Sequence, residues 1–119
     1  MNGRVTLYHG TSAENAESLL SRGFSPEGWR RGPNCGRRGH LYLTSDPENA
    51  AWYAERFDNG VVLAFEVAVE DLIVDPEDGV FDTVAEEIAG ELPALLVTTA
   101  PVSAEHVSRH EPEMGPRPG

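Results

Sequence analysis

The sequence predicts a single domain of the α+β class. The chain has 119 residues, 39% of them hydrophobic, which suits one domain with a core of its own. Its first half alternates strand patterns with helix patterns, an order that would also suit a parallel sheet. The later strands, however, follow one another through short turns without a crossover helix, and this favours α+β. We expect the domain to span residues 1–110, followed by a flexible tail rich in proline and glycine at 111–119.

The first strand and the first helix are predicted close to the N-terminus. Residues 4–9 alternate between two faces, as a half-buried strand does, and the strand is expected to end at Gly10. Thr11 and Glu14 have the spacing of a capping box, which predicts a helix that begins there and ends at Gly23.

A long segment without apolar periodicity follows. Residues 25–39 are rich in glycine, proline and arginine, which predicts a mobile loop. All nine basic residues of the chain are arginines, and four of them fall in this loop: Arg30, Arg31, Arg37 and Arg38. In a chain with 20 acidic residues and a net charge of -11, this local reversal of sign indicates an anion site. The same net charge repels polyanions, so we do not expect duplex nucleic acid as a partner.

The remaining elements are predicted C-terminal to the loop. Residues 40–44 alternate as a strand, and Asp46 followed by Pro47 is suited to start a second helix that ends near Gly60. The apolar run at 61–67 is typical of an inner strand. Beyond it the pattern predicts a strand at 72–74, a turn at 75–79, a short helix capped by Asp82 or Thr83, a strand at 95–99 and a last strand through Val107.

Composition excludes several classes of protein. Cys35 is the only cysteine, which rules out an internal disulfide framework and zinc sites built from paired thiolates. His106 and His110 have helix-compatible metal spacing but no third ligand near them in sequence, so we expect no metal. No apolar stretch approaches the ~20 residues of a membrane helix, and residues 1–6 lack a signal-type apolar segment. We therefore expect a cytoplasmic protein that does not associate with membranes.

Two predicted strand-to-helix junctions share a layout. Residues 8–12 and residues 42–46 each place an aromatic or imidazole side chain and small polar residues where a strand gives way to helix N–H groups. Such a position suits a polar or anionic ligand. An ordinary junction would look similar, with His9 a hydrogen-bonded core histidine and Tyr42 a core aromatic.

The residues at these junctions resemble motifs of the ADP-ribosyltransferase superfamily, in its His-Tyr-acid type, and most closely those of rifamycin ADP-ribosyltransferases. Residues 7–11 (Leu-Tyr-His-Gly-Thr) are similar to the first motif of that group. Residues 40–44 together with 50–55 are similar to the second, and residues 62–67 lie where the third strand would be. The likeness covers residues 5–78. It implies two small packed β-sheets with flanking short helices and an NAD cleft between the first two motif strands.

The resemblance also implies roles for individual residues towards NAD. His9 would hydrogen-bond a ribose hydroxyl, and the Gly10 backbone would pair with the nicotinamide amide. Tyr42 would stack on the nicotinamide ring, with Tyr53 as a second stacking tyrosine. Asp75 would supply the third, acidic residue. The implied catalytic residues are His9, Tyr42 and Asp75, and the implied NAD contacts are Tyr8, His9, Gly10, Thr11, Tyr42, Thr44 and Tyr53.

The chemistry of NAD cleavage accounts for the same residue types independently. Loss of nicotinamide develops positive charge on the ribose, which a buried carboxylate stabilises. A stacked aromatic orients the leaving group, and a histidine can fix the sugar without transferring a proton. The diphosphate of NAD requires a cationic contact in an acidic protein. We assign that contact to the arginine-rich loop, in particular to Arg30 and Arg38.

Alternatives remain open for the acid and for the arginines. Asp75, which precedes a proline, could simply cap the turn with its side chain. Six other acids could take its place: Glu66, Glu70, Asp78, Asp82, Glu86 and Glu87. The arginines could form a solvated loop that contacts no ligand.

The function expected from the resemblance is mono-ADP-ribosyl transfer from NAD, with release of nicotinamide and without a metal. The acceptor stays open between a small molecule, a protein and a nucleic acid, because the chain departs from the rifamycin-modifying group after Asp78. One alternative is an RNA 2'-phosphotransferase of related fold, which shares a His-Gly-Thr motif but needs a basic site. Another is a non-catalytic NAD-binding or interaction module.

Overall fold

The computed structural model describes residues 3–27 and 39–110, and these residues fold as the predicted α+β domain. These described residues form six strands, which are β1 (Arg4–Thr11), β2 (Leu41–Thr44), β3 (Val61–Ala68), β4 (Leu72–Val74), β5 (Leu95–Thr98) and β6 (Val107–Arg109). The three α-helices are α1 (Ala13–Arg22), α2 (Pro47–Ala54) and α3 (Val84–Ala89), and short 3-10 turns lie at Val69–Asp71 and Ala104–His106. The described part of the chain contains no helix with the length and apolar character needed to cross a membrane.

The strands form one antiparallel sheet in the order β4-β5-β2-β1-β3-β6. The expectation of two separate packed sheets is therefore wrong for the described residues. The join between β1 and β2 is nevertheless a single residue pair, Tyr8 with Thr44. By contrast, β1 pairs with β3 along its whole length, from Arg4 to Thr11, and β2 pairs with β5 along all of its own. The sheet thus consists of two three-stranded halves, β4-β5-β2 and β1-β3-β6, which are joined by this one residue pair.

The hydrophobic core lies between α1 and one face of the sheet. Leu7 of β1 and Phe65 of β3 are opposite each other in the ladder, and both are fully buried against Leu19 of α1. Burying each such side chain contributes roughly 1.5–3 kcal/mol. The segment after α1 returns to this core, because Phe24 exchanges two backbone hydrogen bonds with Val102, at 2.8 and 2.9 Å.

The boundary between β1 and α1 differs from the prediction. Thr11 still pairs with Val61 in the ladder, so the strand passes Gly10 and ends one residue later. Ser12 then becomes the N-cap, and its hydroxyl accepts a hydrogen bond from the backbone N–H of Asn15 at 3.2 Å. The predicted capping box, which begins one residue earlier, is thus wrong. The end of α1 at Gly23 is confirmed.

α2 covers the opposite face of the sheet. Its start is as predicted: the Asp46 carboxylate accepts the backbone N–H of Glu48 at 2.9 Å, and Pro47 is the first helical residue. The helix ends at Ala54, earlier than the predicted end near Gly60. The strands at 61–68, 72–74 and 95–98, the cap of α3 at Thr83 and the last strand through Val107 agree with the sequence pattern.

Gly10 permits the close approach of α2 to β1. A Cβ atom added at Gly10 would collide with the backbone carbonyl of Ala50 and would lie 2.9 Å from the backbone nitrogen of Ala54. Both atoms belong to helix backbone, so neither can move aside without displacing the helix. A residue with a side chain at this position would therefore separate α2 from the sheet.

We predict that Gly10→Ala lowers the free energy of unfolding by about 1–3 kcal/mol, because overpacking against backbone is costly. Gly3→Ala is the matched control, since a Cβ at Gly3 would meet no atom within 4 Å. Urea unfolding of both variants measures the difference. Equal stabilities for the two variants would contradict the close packing of α2 on β1.

Candidate functional site

The backbone of Gly10 faces the side of β1 where strand pairing is interrupted. The N–H of His110 donates to the carbonyl oxygen of Val62 at 2.9 Å, so the backbone groups of Val62 face β6. Gly10 is opposite Val62 in the β1–β3 ladder, and this pair is therefore of the non-hydrogen-bonded type. The N–H and C=O of Gly10 consequently point towards β2. There the pairing of the two strands stops at Tyr8 and Thr44, which leaves Gly10 at a gap between the halves of the sheet.

The side chain of His9 bridges this gap. Its Nδ1 lies 2.8 Å from the backbone carbonyl oxygen of Tyr42. Because a carbonyl oxygen only accepts, Nδ1 carries the proton, and Nε2 of the neutral ring is then an acceptor. The ring is 4% exposed, and it meets the ring of Phe65 nearly at right angles, with 6.1 Å between centroids. The hydrogen bond and the packing together fix the orientation of the imidazole.

A cavity of about 270 Å³ opens at the gap. It is lined by Tyr8, His9, Gly10, Tyr42, Leu43, Thr44, Asn49, Ala50, Tyr53, Arg56, Phe57, Asp75, Glu77, Asp78 and Leu95. This volume is slightly below that of pockets that bind drug-sized ligands. It suits an aromatic ring and an attached sugar, and a larger ligand would extend from its mouth.

Most of the residues singled out in the sequence meet at this cavity. Those on its wall are Tyr8, His9, Gly10, Tyr42, Thr44, Tyr53 and Asp75. Thr11 does not line the cavity: it is buried at the end of β1. Arg30, Arg31, Arg37, Arg38 and Cys35, as well as the tail at 111–119, lie outside the described residues.

Two tyrosine rings reach the cavity from different elements. Tyr42 is half-buried on β2, where its ring stacks with that of His40 at 6.3 Å between centroids and 28° between planes. Tyr53 is on α2 and is 40% exposed. Since α2 is held against β1 at Gly10, its tyrosine is brought to the same cavity as the tyrosine of β2.

Asp75 combines a structural contact with a place on the cavity wall. Its Oδ1 accepts the backbone N–H groups of Glu77 and Asp78, at 2.8 and 3.2 Å, so the aspartate does cap the turn. Its Oδ2 accepts no hydrogen bond from the residues that the structure describes. The residue is only 7% exposed. The turn therefore fixes the carboxylate and leaves one of its oxygens for another partner.

Of the six acids that could have replaced Asp75, only Asp78 lines the cavity. Glu66, Glu70, Asp82 and Glu86 are exposed and do not line it. Glu77, which the sequence analysis did not consider, is also on the wall. The cavity thus has an acidic side formed by the turn after β4.

Glu87 serves the structure of α3. It is 2% exposed, and its carboxylate accepts the backbone N–H groups of Val80, Phe81 and Leu95 at 2.9, 2.9 and 3.1 Å. Desolvation by burial raises the pKa of Glu87, but the three hydrogen bonds together outweigh it, and the pKa lies below its usual value. The carboxylate ties the segment before α3 to the start of β5.

Two polar residues of the cavity, Asn49 and Arg56, were missed in the sequence. Together with Tyr53 they are spaced at i, i+4 and i+7, which places all three on one side of α2 and of the turn that follows it. The signal was present in the sequence. The apolar stripe of alanines predicts only which side of the helix is buried.

Neither models of known protein families nor curated protein sequences give a match to this chain. Within residues 3–27 and 39–110, no three histidine, cysteine, aspartate or glutamate side chains are grouped as a metal site would require.

We predict that Glu87→Gln destabilises the protein at neutral pH and that this effect disappears in acid. Because the pKa of Glu87 is lower in the folded chain than in the unfolded chain, its stabilising contribution is complete above the unfolded pKa of about 4.3. The contribution is lost as the pH falls through the folded value. Urea unfolding from about pH 7 to about pH 3 measures the difference from the unsubstituted protein.

Glu91→Gln is the control for this prediction, because it removes the same charge from an exposed side chain. We expect it to change stability by less than about 0.5 kcal/mol throughout. A stability difference for Glu87→Gln that stays constant with pH would show that the carboxylate charge is not what holds the segment.

Proposed function

We propose that this protein is an NAD-dependent mono-ADP-ribosyltransferase that releases nicotinamide at the cavity between β1 and β2. The observation that carries the proposal is that His9, Tyr42 and Asp75, which lie far apart in the sequence, line one cavity beside the gap at Gly10. In cleavage of the nicotinamide–ribose bond, a histidine can position the sugar, an aromatic ring can orient the leaving group, and a carboxylate can stabilise the charge that develops on the ribose.

The gap at Gly10 suits the carboxamide of nicotinamide. A primary amide has both N–H donors and a C=O acceptor, so it can pair with the N–H and C=O that Gly10 directs towards β2. Gly10 is buried overall but lines the cavity. In this arrangement the pyridine ring packs against Tyr42, whose face supplies an offset stacking contact.

His9 acts by positioning the sugar. Its Nδ1 proton is committed to the carbonyl of Tyr42, so Nε2 is the atom that accepts a hydrogen bond from a ribose hydroxyl. No proton is transferred to the imidazole in this role. Because the hydrogen bond and the contact with Phe65 fix the ring in advance, little conformational entropy is lost when the substrate binds.

Asp75 stabilises the transition state electrostatically. When the bond between ribose C1 and the pyridinium nitrogen breaks, its electron pair goes to nitrogen, and nicotinamide leaves as a neutral molecule. The positive charge passes to the sugar, where a nearly buried carboxylate is most effective. A lone pair of the acceptor then forms a bond to C1, and the acceptor releases its proton to solvent. With water as the acceptor the same steps hydrolyse NAD.

The balance of charge favours this proposal over an RNA 2'-phosphotransferase. Among the described residues of the cavity wall, three are acidic (Asp75, Glu77 and Asp78), while Arg56 is the single arginine and His9 the single histidine. A site for a polynucleotide phosphate needs a positive surface, whereas an oxocarbenium-like sugar needs a negative one.

Nicotinamide release from NAD, followed by chromatography, tests the proposal. We expect release by the unsubstituted protein and a kcat reduced by about 10²–10³ in Asp75→Asn, because that variant removes transition-state stabilisation. Asparagine keeps the oxygen that caps the turn, so the melting temperature should change by only a few degrees. NAD binding without any release would identify a non-catalytic module instead, and an unchanged kcat in Asp75→Asn would remove Asp75 from the mechanism.

A further inference from the structure

Arg56 is a cation at the cavity without an acidic partner among the described residues. The only ion pair found in residues 3–27 and 39–110 joins His106 to Glu105, at 4.0 Å. Arg56 lines the same cavity as three carboxylates and yet pairs with none of them. No arginine among the described residues forms an ion pair with an acid, and Arg56 differs from the other three by its place on the cavity wall.

The guanidinium of Arg56 contacts two aromatic rings rather than a carboxylate. Its Cζ atom lies over the ring of Trp52 at 4.6 Å and over the ring of Tyr53 at 5.1 Å, measured to the centroids. The two rings meet edge to face, with 5.1 Å between centroids and 84° between planes. The Arg56 backbone is also fixed, because its N–H donates to the carbonyl of Tyr53 at 3.2 Å.

The N–H donors of the Arg56 side chain form no hydrogen bond with the residues that the structure describes. These donors lie in the plane of the guanidinium and form a fork that matches a phosphate. Trp52 is 55% exposed and Tyr53 is 40% exposed, so this cluster lies at the mouth of the cavity and not in its depth.

A buried acceptor on the same side of α2 indicates that the occupant is polar. Asn49 lines the cavity, and its Oδ1 is buried without a hydrogen-bond partner among the described residues. A buried amide oxygen without a donor is costly, and a hydroxyl of a bound sugar would supply one. Asn49 precedes Arg56 by seven residues, or two helical turns.

We infer that Arg56 is the phosphate anchor of the cavity, which makes the preferred ligand a nucleotide with phosphate groups beyond the ring and sugar that the gap receives. The inference deepens the proposed function and rests on it for the identity of the ligand, NAD. It assigns the diphosphate to Arg56, which lies two residues beyond the end of α2.

Isothermal titration with two probes tests this role. ADP-ribose carries the diphosphate without nicotinamide, and nicotinamide carries no phosphate. We expect Arg56→Gln to weaken ADP-ribose binding by about tenfold or more and to change nicotinamide binding by less than about twofold. Arg22→Gln is the matched control: it removes the same charge from an exposed arginine in the last turn of α1, outside the cavity. It should leave both affinities unchanged.

Three results would overturn the inference: no binding of ADP-ribose to the unsubstituted protein, equal ADP-ribose affinities for Arg56→Gln and Arg22→Gln, or a parallel loss of nicotinamide binding. The last would show that Arg56 merely supports the ring of Tyr53.

Nicotinamide release, measured separately, distinguishes the two proposals. If release is absent while ADP-ribose binding still depends on Arg56, the phosphate anchor stands and the transferase proposal falls. If nicotinamide is released but Arg56→Gln binds ADP-ribose as tightly as the unsubstituted protein does, the transferase proposal stands and the phosphate anchor falls.

Discussion

The hydrogen bond from Nδ1 of His9 to the carbonyl oxygen of Tyr42 is the interaction on which the rest of the site depends. In a continuous antiparallel sheet that carbonyl would belong to an uninterrupted ladder or would face solvent. Here the ladder between β1 and β2 stops at Tyr8 and Thr44, and an imidazole satisfies the carbonyl across the gap. The sheet remains connected while Gly10 lines the cavity.

A second constraint holds the gap in shape from the other face of the sheet. α2 can lie directly on β1 only because Gly10 has no side chain. This contact carries Tyr53 and Arg56 to the cavity mouth, while the turn after β4 supplies Asp75 on another side. A single glycine therefore lines the cavity and also sets the distance of the helix from the sheet. The packing of the fold and the geometry of the site cannot be separated at this position.

The sequence predicted the secondary structure well where the signals were local. The Asp46–Pro47 start of α2, the Thr83 cap and the end of α1 at Gly23 are each determined by neighbouring residues. The start of α1 was placed one residue early, because the pairing of Thr11 with β3 is a long-range contact that a capping pattern does not contain.

The wall of the cavity was predicted in part. Residues of the two motifs lie on it. Asn49 and Arg56 lie on it too, but they belong to neither motif. Their approach to the gap depends on the packing of α2 over Gly10. The structural role of Glu87 could not be predicted from the sequence either, because its three N–H partners are brought together only when α3 folds back on β5. Whether the halves of the sheet are joined or separate depends on one residue pair, which no periodicity in the sequence encodes.

A crystal structure of the protein soaked with nicotinamide tests the central claim most directly. The account predicts a pyridine ring in the gap between β1 and β2, with its carboxamide hydrogen-bonded to the N–H and C=O of Gly10 and its face against Tyr42. A ring bound elsewhere, or a gap closed by direct pairing of Gly10 with β2, would contradict it.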